Sequence, residues 1–294
     1  MPSTRRISPS GEEVVESLDG RPFGAGRHSC PGEAHAVAIA EGASSFRGLH
    51  HAKEPLVLPN AWDFASAAAL VEQGFSAVGT TSLGVAASRG LPDAAGATLD
   101  ETLALARSLV CLRVPITVDI EAGFGADPTA LAAELTTIGV AGVNIEDGRG
   151  TGLESVERQR ALIAGFKSAA PELFVNARTD TYWLGAQTEE TIRRAREYVD
   201  AGADGIFVPG LRDPHEIEKL VSVLGDSPLN VLAELPLPQL HELGVRRIST
   251  GSRLFRTAIT QAVRSAVAYR DGLPAPDAMS YDDVEAARVR AVRR

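Results

Sequence analysis

The sequence predicts an α/β protein of the (β/α)8 class, the TIM barrel. Short apolar runs alternate with amphipathic stretches eight times between about residues 45 and 270. Such alternation implies parallel strands joined by right-handed crossovers, and eight units suit a barrel, whose usual length is roughly 250 residues. A doubly wound open sheet is the rival fold. It is disfavoured because residues 59–63 (PNAWD) stand where a glycine-rich phosphate loop would follow its first strand.

The predicted strands are short runs rich in apolar and β-branched residues, bounded by turn residues. From the first to the eighth they are Leu56–Pro59, Ala77–Thr81, Ile116–Glu121, Gly142–Glu146, Phe174–Arg178, Gly205–Val208, Asn230–Ala233 and Arg247–Thr250.

The predicted helices carry apolar residues at helical spacing, and several end at a glycine before the next strand, as at Gly74 and Gly139. In chain order they are Phe64–Gln73, Leu99–Cys111, Pro128–Ile138, Ser155–Ser168, Thr188–Ala201, Pro214–Leu224, Pro238–Leu243 and Arg253–Tyr269.

Composition divides the chain and limits its partners. We expect a flexible N-terminal extension at residues 1–45, a barrel domain at 46–272, and a tail at 273–294 that ends in a helix. The net charge of −9 argues against nucleic acid or an anionic membrane as the main partner. Two cysteines, Cys30 and Cys111, provide neither a disulfide framework nor a zinc site, which fits a reducing cytoplasm.

Residues 116–125 (ITVDIEAGFG) carry the strongest functional signal. Side chains alternate along a strand, so Asp119 and Glu121 are expected on one face. Two such acids at a strand end repel each other unless a cation lies between them, and a divalent metal is the simplest candidate. A solvated loop with helix-capping acids is the alternative.

Polar residues also stand at the ends of neighbouring strands, where a barrel concentrates its chemistry. Asn144 and Glu146 share a face of strand four, and Asn176 and Arg178 share a face of strand five. Carboxylates suit Mg²⁺, which keeps several waters, and an arginine suits a bidentate grip on a carboxylate or phosphonate. Taken singly, these residues also have structural interpretations as turn acids or salt-bridged strand ends. The exit of strand two adds Thr81, Ser82, Gly84 and Asp93.

Four motifs resemble the isocitrate lyase/phosphoenolpyruvate mutase superfamily over about residues 45–270. They are GLPD at 90–93, DIEAGFG at 119–125, GVNIED at 142–147 and NARTD at 176–180. The resemblance implies a (β/α)8 barrel that commonly exchanges a terminal helix within dimers or tetramers. It also implies chemistry at a C–C or P–C bond next to a 2-oxo acid, through a pyruvate enolate held by Mg²⁺, with Mn²⁺ as an alternative.

The resemblance assigns roles to the candidate residues. It makes Asp119 the direct metal ligand, with Glu146 and Glu121 acting through water, although Glu121 stands where the family more usually has aspartate. Arg178 would bind one end of the substrate, and Asp93 matches an acid that contacts the site. Substrate binding falls to Thr81, Ser82, Gly84, Asn144 and Asn176.

The segment after Glu146 departs from the superfamily's best-known branches. It reads DGRGTGLES, without the cysteine and histidine of the lyase loop, so a true isocitrate lyase is not expected. It also lacks the lysine and asparagine of the mutase gating loop and has only Arg149. The reaction is therefore left open among lyase, hydrolase, decarboxylase and mutase.

A second resemblance covers only the N-terminal extension. Residues 22–32 (PFGAGRHSCPG) are similar to the cysteine-ligand loop of haem-thiolate monooxygenases, with Cys30 at the ligand position. A haem needs an enclosing pocket as well as an axial thiolate, and the rest of that fold has no counterpart in the sequence. We therefore interpret the segment as a remnant and expect no haem.

Two other classes of function are alternatives to this chemistry. A non-catalytic barrel that binds a small carboxylate in a regulatory or structural role is the main alternative. An aldolase with a Schiff-base lysine is disfavoured, because Lys53, Lys167 and Lys219 fall in helices or linkers rather than at strand ends. The leading expectation is a cytoplasmic homodimer or homotetramer that acts on a small 2-oxo acid or phosphonate.

Overall fold

The structure is a computed structural model that describes residues 6–7, 13–14 and 46–292. The chain separates into one unit within residues 1–32 and another from 33 to 294. In the first unit, Arg6–Ile7 pairs antiparallel with Glu13–Val14. The Cys30 loop and most of the expected N-terminal extension lie outside the described residues.

The second unit is a closed parallel barrel. Nine strand segments form one sheet, and the first two are separated only by Pro59, which has no N–H to donate to a ladder. Leu56–Leu58 pairs with the last strand and Asn60–Ala61 with the second, so the two segments act as one strand that closes the barrel. The eight strands are β1 (Leu56–Leu58 and Asn60–Ala61), β2 (Val78–Thr80), β3 (Ile116–Asp119), β4 (Gly142–Glu146), β5 (Phe174–Arg178), β6 (Gly205–Phe207), β7 (Leu229–Leu232) and β8 (Arg247–Ser249).

The helices surround this barrel and confirm the predicted fold class. All eight predicted barrel helices are present, with ends that differ by a few residues, and the tail helix is present as well. The short helices Ser82–Ser88 and Thr181–Leu184 were not predicted. The helices are α1 (Phe64–Glu72), α2 (Ser82–Ser88), α3 (Leu99–Leu109), α4 (Pro128–Ile138), α5 (Val156–Ala169), α6 (Thr181–Leu184), α7 (Thr191–Asp200), α8 (Pro214–Leu224), α9 (Leu237–Glu242), α10 (Arg253–Arg270) and α11 (Tyr281–Arg290).

Local sequence explains where several helices begin. Asp63 and Ser66 form a reciprocal capping box at the start of α1. Asp127 and Asp213 accept backbone hydrogen bonds at the starts of α4 and α8, each followed by a proline that needs no intrahelical donor. No helix in the described part of the chain is long and apolar enough to cross a membrane.

The two faces of the strands separate packing from chemistry. Val143 and Ile145 of β4 belong to the main apolar core, while Asn144 and Glu146 alternate with them. Phe46 and Phe174 belong to a second, smaller cluster. There they pack edge to face with ring centroids 5.4 Å apart. The polar side chains of β4 therefore point away from its residues in the main apolar core.

Candidate active site

A cavity of about 630 Å³ lies at the carboxyl ends of the strands. This is the end at which barrel enzymes carry their active sites. Segments after β2, β5, β6, β7 and β8 contribute to its walls, and so does α10 as far as Arg264. Seven of the predicted site residues line it: Thr81, Ser82, Asp93, Asp119, Asn144, Glu146 and Arg178.

Arg178 is held between two carboxylates. It lies directly opposite Glu146 in the β4–β5 ladder, and its Nη1 is 2.8 Å from Glu146 Oε2. Its Nε donates to Asp180 Oδ1 at 2.6 Å. Burial opposes the guanidinium charge, but Glu146 and Asp180 outweigh it and raise the pKa of Arg178. Arg178 therefore stays charged, and no protein acceptor among the described residues binds its Nη2.

Asp119 and Glu146 both have raised pKa values. Burial is the largest cause for each, and it brings the pKa of Asp119 to about 6 and that of Glu146 to about 8. Arg178 opposes both shifts, whereas neighbouring acids add to them: Asp93 and Glu121 raise the pKa of Asp119, and Asp119 itself raises that of Glu146. Burial and the neighbouring acids therefore outweigh Arg178 at both carboxylates.

Glu121 does not share a strand face with Asp119, so that expectation is wrong. The strand ends at Asp119, and Glu121 has a left-handed backbone with φ 48°. The alternation of side chains holds only for extended backbone, and it stops there. Glu121 Oε1 and Oε2 instead accept hydrogen bonds from Thr98 Oγ1 and Gly96 N, each at 2.8 Å. Its carboxylate thus fixes the loop that follows Asp93.

Gly84 and Asn176 are also placed away from the cavity wall. Gly84 lies inside α2, where an added Cβ would come within 2.7 Å of Trp62 Cβ, so it permits close packing. Asn176 is buried and donates from Nδ2 to Asn144 Oδ1 at 2.9 Å. It therefore contacts a cavity residue without lining the cavity itself.

The loop after β8 contributes residues that the sequence interpretation missed. Asn60 Oδ1 accepts from Gly251 N at 2.9 Å and from Thr250 Oγ1 at 3.2 Å, which ties β1 to this loop. The rule that strand ends carry the site would have found Thr250, because the predicted eighth strand ends there. Further lining residues are Thr80, Trp183, Ser249, Arg253, Arg256 and Arg264.

Glu234 lines the cavity and forms a salt bridge with Arg212. It accepts two hydrogen bonds from Arg212, one from Nε at 2.6 Å and one from Nη2 at 2.8 Å. This bidentate pair joins the loop after β6 to the loop after β7 at the rim of the cavity. The pair lies largely exposed, so its contribution to the free energy of unfolding is small.

The segment after Glu146 forms a short hairpin, Gly148–Arg149 with Gly152–Leu153. Asp147 precedes it and is fully buried. Its Oδ2 accepts from Tyr198 Oη at 2.7 Å and from Arg194 Nη1 at 3.1 Å, and its Oδ1 accepts from Asp180 N at 2.8 Å. Asp147 therefore anchors the base of the hairpin and is not in the cavity wall.

Comparison with known proteins identifies the family. The family model for phosphoenolpyruvate phosphomutase matches residues 46–270, which is most of the chain. The chain belongs to the phosphoenolpyruvate phosphomutase family. An uncharacterized protein of Mycobacterium tuberculosis is 44% identical over 83% of this chain and 96% of its own length. The 2-methylisocitrate lyase of Bacillus subtilis is 34% identical over 66% of this chain and 67% of its own length.

Solved structures agree with this assignment. A lyase/mutase of Burkholderia cenocepacia, described as putative, has a TM-score of 0.77 and 32% identity over 85% of this chain and 96% of its own. A phosphonopyruvate hydrolase in complex with oxalate and Mg²⁺ has a TM-score of 0.74 over 84% of this chain and 95% of its own, but at 22% identity it shows the fold alone. The predicted superfamily is confirmed. So is the expectation of a lyase- or mutase-type member other than a true isocitrate lyase.

Proposed function

We propose that this protein is a cytoplasmic, Mg²⁺-dependent enzyme that makes or breaks a C–C or P–C bond next to a 2-oxo acid, through a pyruvate-type enolate. The observation that carries this proposal is the placement of Asp119 and Glu146, with raised pKa values, in a cavity beside Arg178. Such a site suits a lyase, a hydrolase, a decarboxylase or a mutase reaction alike.

The donor set fits Mg²⁺, with Mn²⁺ as a substitute. In the described part of the chain, no three His, Cys, Asp or Glu side chains group into a metal site of their own. Mg²⁺ does not need one, because it is usually bound by one or two carboxylates and keeps several waters. Asp119 would hold the ion directly and Glu146 through water. When bound, the ion supplies positive charge to an oxygen on which negative charge develops.

The other residues bind and orient the substrate. Arg178 Nη2 offers a donor to a carboxylate or phosphonate, while its Nε and Nη1 remain on Asp180 and Glu146. Thr81 and Ser82 line the same cavity and provide hydroxyl groups. Asp93 lines the cavity and would contact the substrate, and Glu121 holds its loop through Gly96 and Thr98.

The test is the release of pyruvate or another 2-oxo acid from a panel of 2-oxo acid adducts and phosphonates. Chelation of Mg²⁺ is expected to abolish turnover. Asp119→Asn should lower turnover on the order of 100- to 1000-fold, as removal of a charge-stabilising group typically does. Asp226→Asn changes an exposed aspartate just before β7, at the end of the barrel opposite the cavity; it is the control and should leave turnover unchanged. Mg²⁺-dependent binding of the panel without turnover would instead favour a non-catalytic barrel.

The same proposal includes a homodimer or homotetramer, supported by α10. This helix has 18 residues, yet Phe255 is its one buried residue. Ile259, Val263 and Val267 are spaced four apart and are 48%, 57% and 39% exposed. Helices in proteins draw most of their stability from packing an apolar face, so this stripe calls for a partner. A second copy of the chain is the partner that we propose.

A further inference from the structure

Arg247 is a buried cation beneath the cavity that the proposed chemistry does not use. It begins β8, is 1% exposed, and points into the barrel, with its guanidinium carbon 5.8 Å from the Phe46 ring centroid. Its Nε and Nη1 have no hydrogen-bond partner among the described residues, where no carboxylate forms a salt bridge with it either. Burial lowers its pKa to about 9.

Within the described part of the chain, the one side-chain hydrogen bond of Arg247 goes to a residue of the cavity wall. Its Nη2 donates to Asn144 Oδ1 at 3.1 Å, and Asn176 Nδ2 donates to the same oxygen at 2.9 Å. A guanidinium has no acceptor, so the Asn144 atom that faces it must be the oxygen. The orientation of the Asn144 amide is thereby fixed.

The fixed amide leaves a donor for the cavity. No protein acceptor in the described part of the chain binds Asn144 Nδ2, and Asn144 lines the cavity next to Asp119, its partner in the β3–β4 ladder. A donor aimed into a cavity at this place would meet an anionic oxygen of a bound carboxylate or phosphonate.

We infer that Arg247 is a positioning residue, which holds the Asn144 amide so that Nδ2 donates to an anionic oxygen of the bound substrate. This inference rests on the proposed function, because it takes the cavity to bind an anion together with Mg²⁺. Arg247 also places a positive charge beneath the same anion, in the buried interior of the barrel.

Stability alone gives no reason for an arginine at this position. Replacing a buried charge by an apolar side chain of similar volume is often neutral or stabilising. Two of the three guanidinium nitrogens have no hydrogen-bond partner among the described residues, which makes the charge especially costly to bury. A variant of Arg247 that loses ligand binding while its stability is unchanged or increased would therefore show that Arg247 positions Asn144 and does not stabilise the fold.

The test uses oxalate, a small dianion, titrated in the presence of saturating Mg²⁺ by isothermal calorimetry. Arg247→Met is expected to weaken oxalate binding about 10- to 100-fold, as loss of a hydrogen bond to a charged group does, and to leave the Tm equal or higher. Asn144→Ala should weaken binding to a similar degree. If Arg247 acts through Asn144, the double variant should bind no more weakly than Asn144→Ala alone.

The oxalate titration includes a control variant and a conservative variant. Arg246→Met changes the exposed neighbour and should bind oxalate as the wild type does. Arg247→Lys retains a charge and a donor and should bind oxalate more tightly than Arg247→Met. If the methionine variant does not fold, Arg247→Lys is compared with Asn144→Ala instead and should bind oxalate more tightly than that variant does.

Three results would overturn the inference: wild-type affinity in Arg247→Met, equally weak binding by Arg247→Lys and Arg247→Met, or losses that multiply in the double variant. A wild-type protein that binds no oxalate with Mg²⁺ would instead contradict the proposed function itself, and this inference with it.

Discussion

Glu146 links the charge of the cavity to pH. Its pKa in the folded protein is about 8 against 4.5 for the free side chain, mainly because of burial. Between these values the folded state binds the proton and the unfolded state does not. The stabilising effect is therefore complete below about pH 4.5 and is lost as the pH rises through 8.

Glu146→Gln should accordingly flatten the pH dependence of the free energy of unfolding. Without Mg²⁺, the wild type is expected to lose a contribution on the order of a few kcal/mol between pH 5 and pH 8 that the glutamine variant does not lose. Urea denaturation of both proteins at several pH values measures the difference. Parallel curves for the two proteins would show that Glu146 titrates normally.

Some residues of the site were predicted from the sequence, and others were misplaced or missed. Asp119, Glu146 and Arg178 were predicted from strand ends, and the structure places all three in the cavity. Glu121 was misplaced because its left-handed backbone cannot be read from the residue types around it. Arg247 was missed because a charged residue inside a barrel is rare, and its contact with Asn144 joins strands 103 positions apart.

At the scale of elements, a buried network fixes the hairpin after β4 to α7. Arg194 and Asp147 have side chains that are 5% and 0% exposed, and Arg194 Nη1 also donates to the backbone oxygen of Glu154 at 2.9 Å. The hairpin therefore stands on an anchored base at the place where the superfamily's lyases and mutases carry a catalytic or gating loop.

Arg194→Met should destabilise the protein by about 3–5 kcal/mol, because it leaves the Asp147 carboxylate buried without its cation. The exposed neighbour Arg193, which pairs with Glu190, provides the matched control. Arg193→Met is expected to change the free energy of unfolding by less than about 0.5 kcal/mol. Equal effects of the two substitutions in urea denaturation would argue against the network.

The elements that escaped prediction are short. α2 has seven residues, with Gly84 in its middle, and α6 has four, so neither spans enough turns to show a helical period. The longer helices were predicted within a few residues because aspartate caps, prolines and terminal glycines mark their ends. Their positions around the barrel then followed from the alternation of strand and helix.

At the scale of the whole molecule, the barrel was predictable because each strand exit delivers residues to the same end. The lining of the cavity by Arg256 and Arg264 of α10 was not, since the position of a helix over the barrel depends on tertiary packing. The exposure of the apolar stripe on that helix also depends on tertiary packing, so the sequence alone did not predict it.

The proposed oligomer depends on the exposed apolar stripe of α10. Val263→Glu places a charge in the middle of the exposed stripe of α10 and should shift the protein toward monomer, because a buried unpaired carboxylate is costly at an interface. Sedimentation velocity measures the change. Ser265→Glu, on the other side of the helix, is the control. A wild-type protein that sediments as a monomer would contradict the proposed assembly.

The central claim is that a divalent metal binds at Asp119 and holds an anionic ligand beside Arg178. Anomalous diffraction from crystals grown with Mn²⁺ and oxalate tests it most directly. We expect an anomalous peak from Mn²⁺ within bonding distance of the Asp119 carboxylate and of oxalate. Glu146 should contact the ion through water, and Arg178 should contact the oxalate. A peak elsewhere, or oxalate in the cavity without metal at Asp119, would contradict the account.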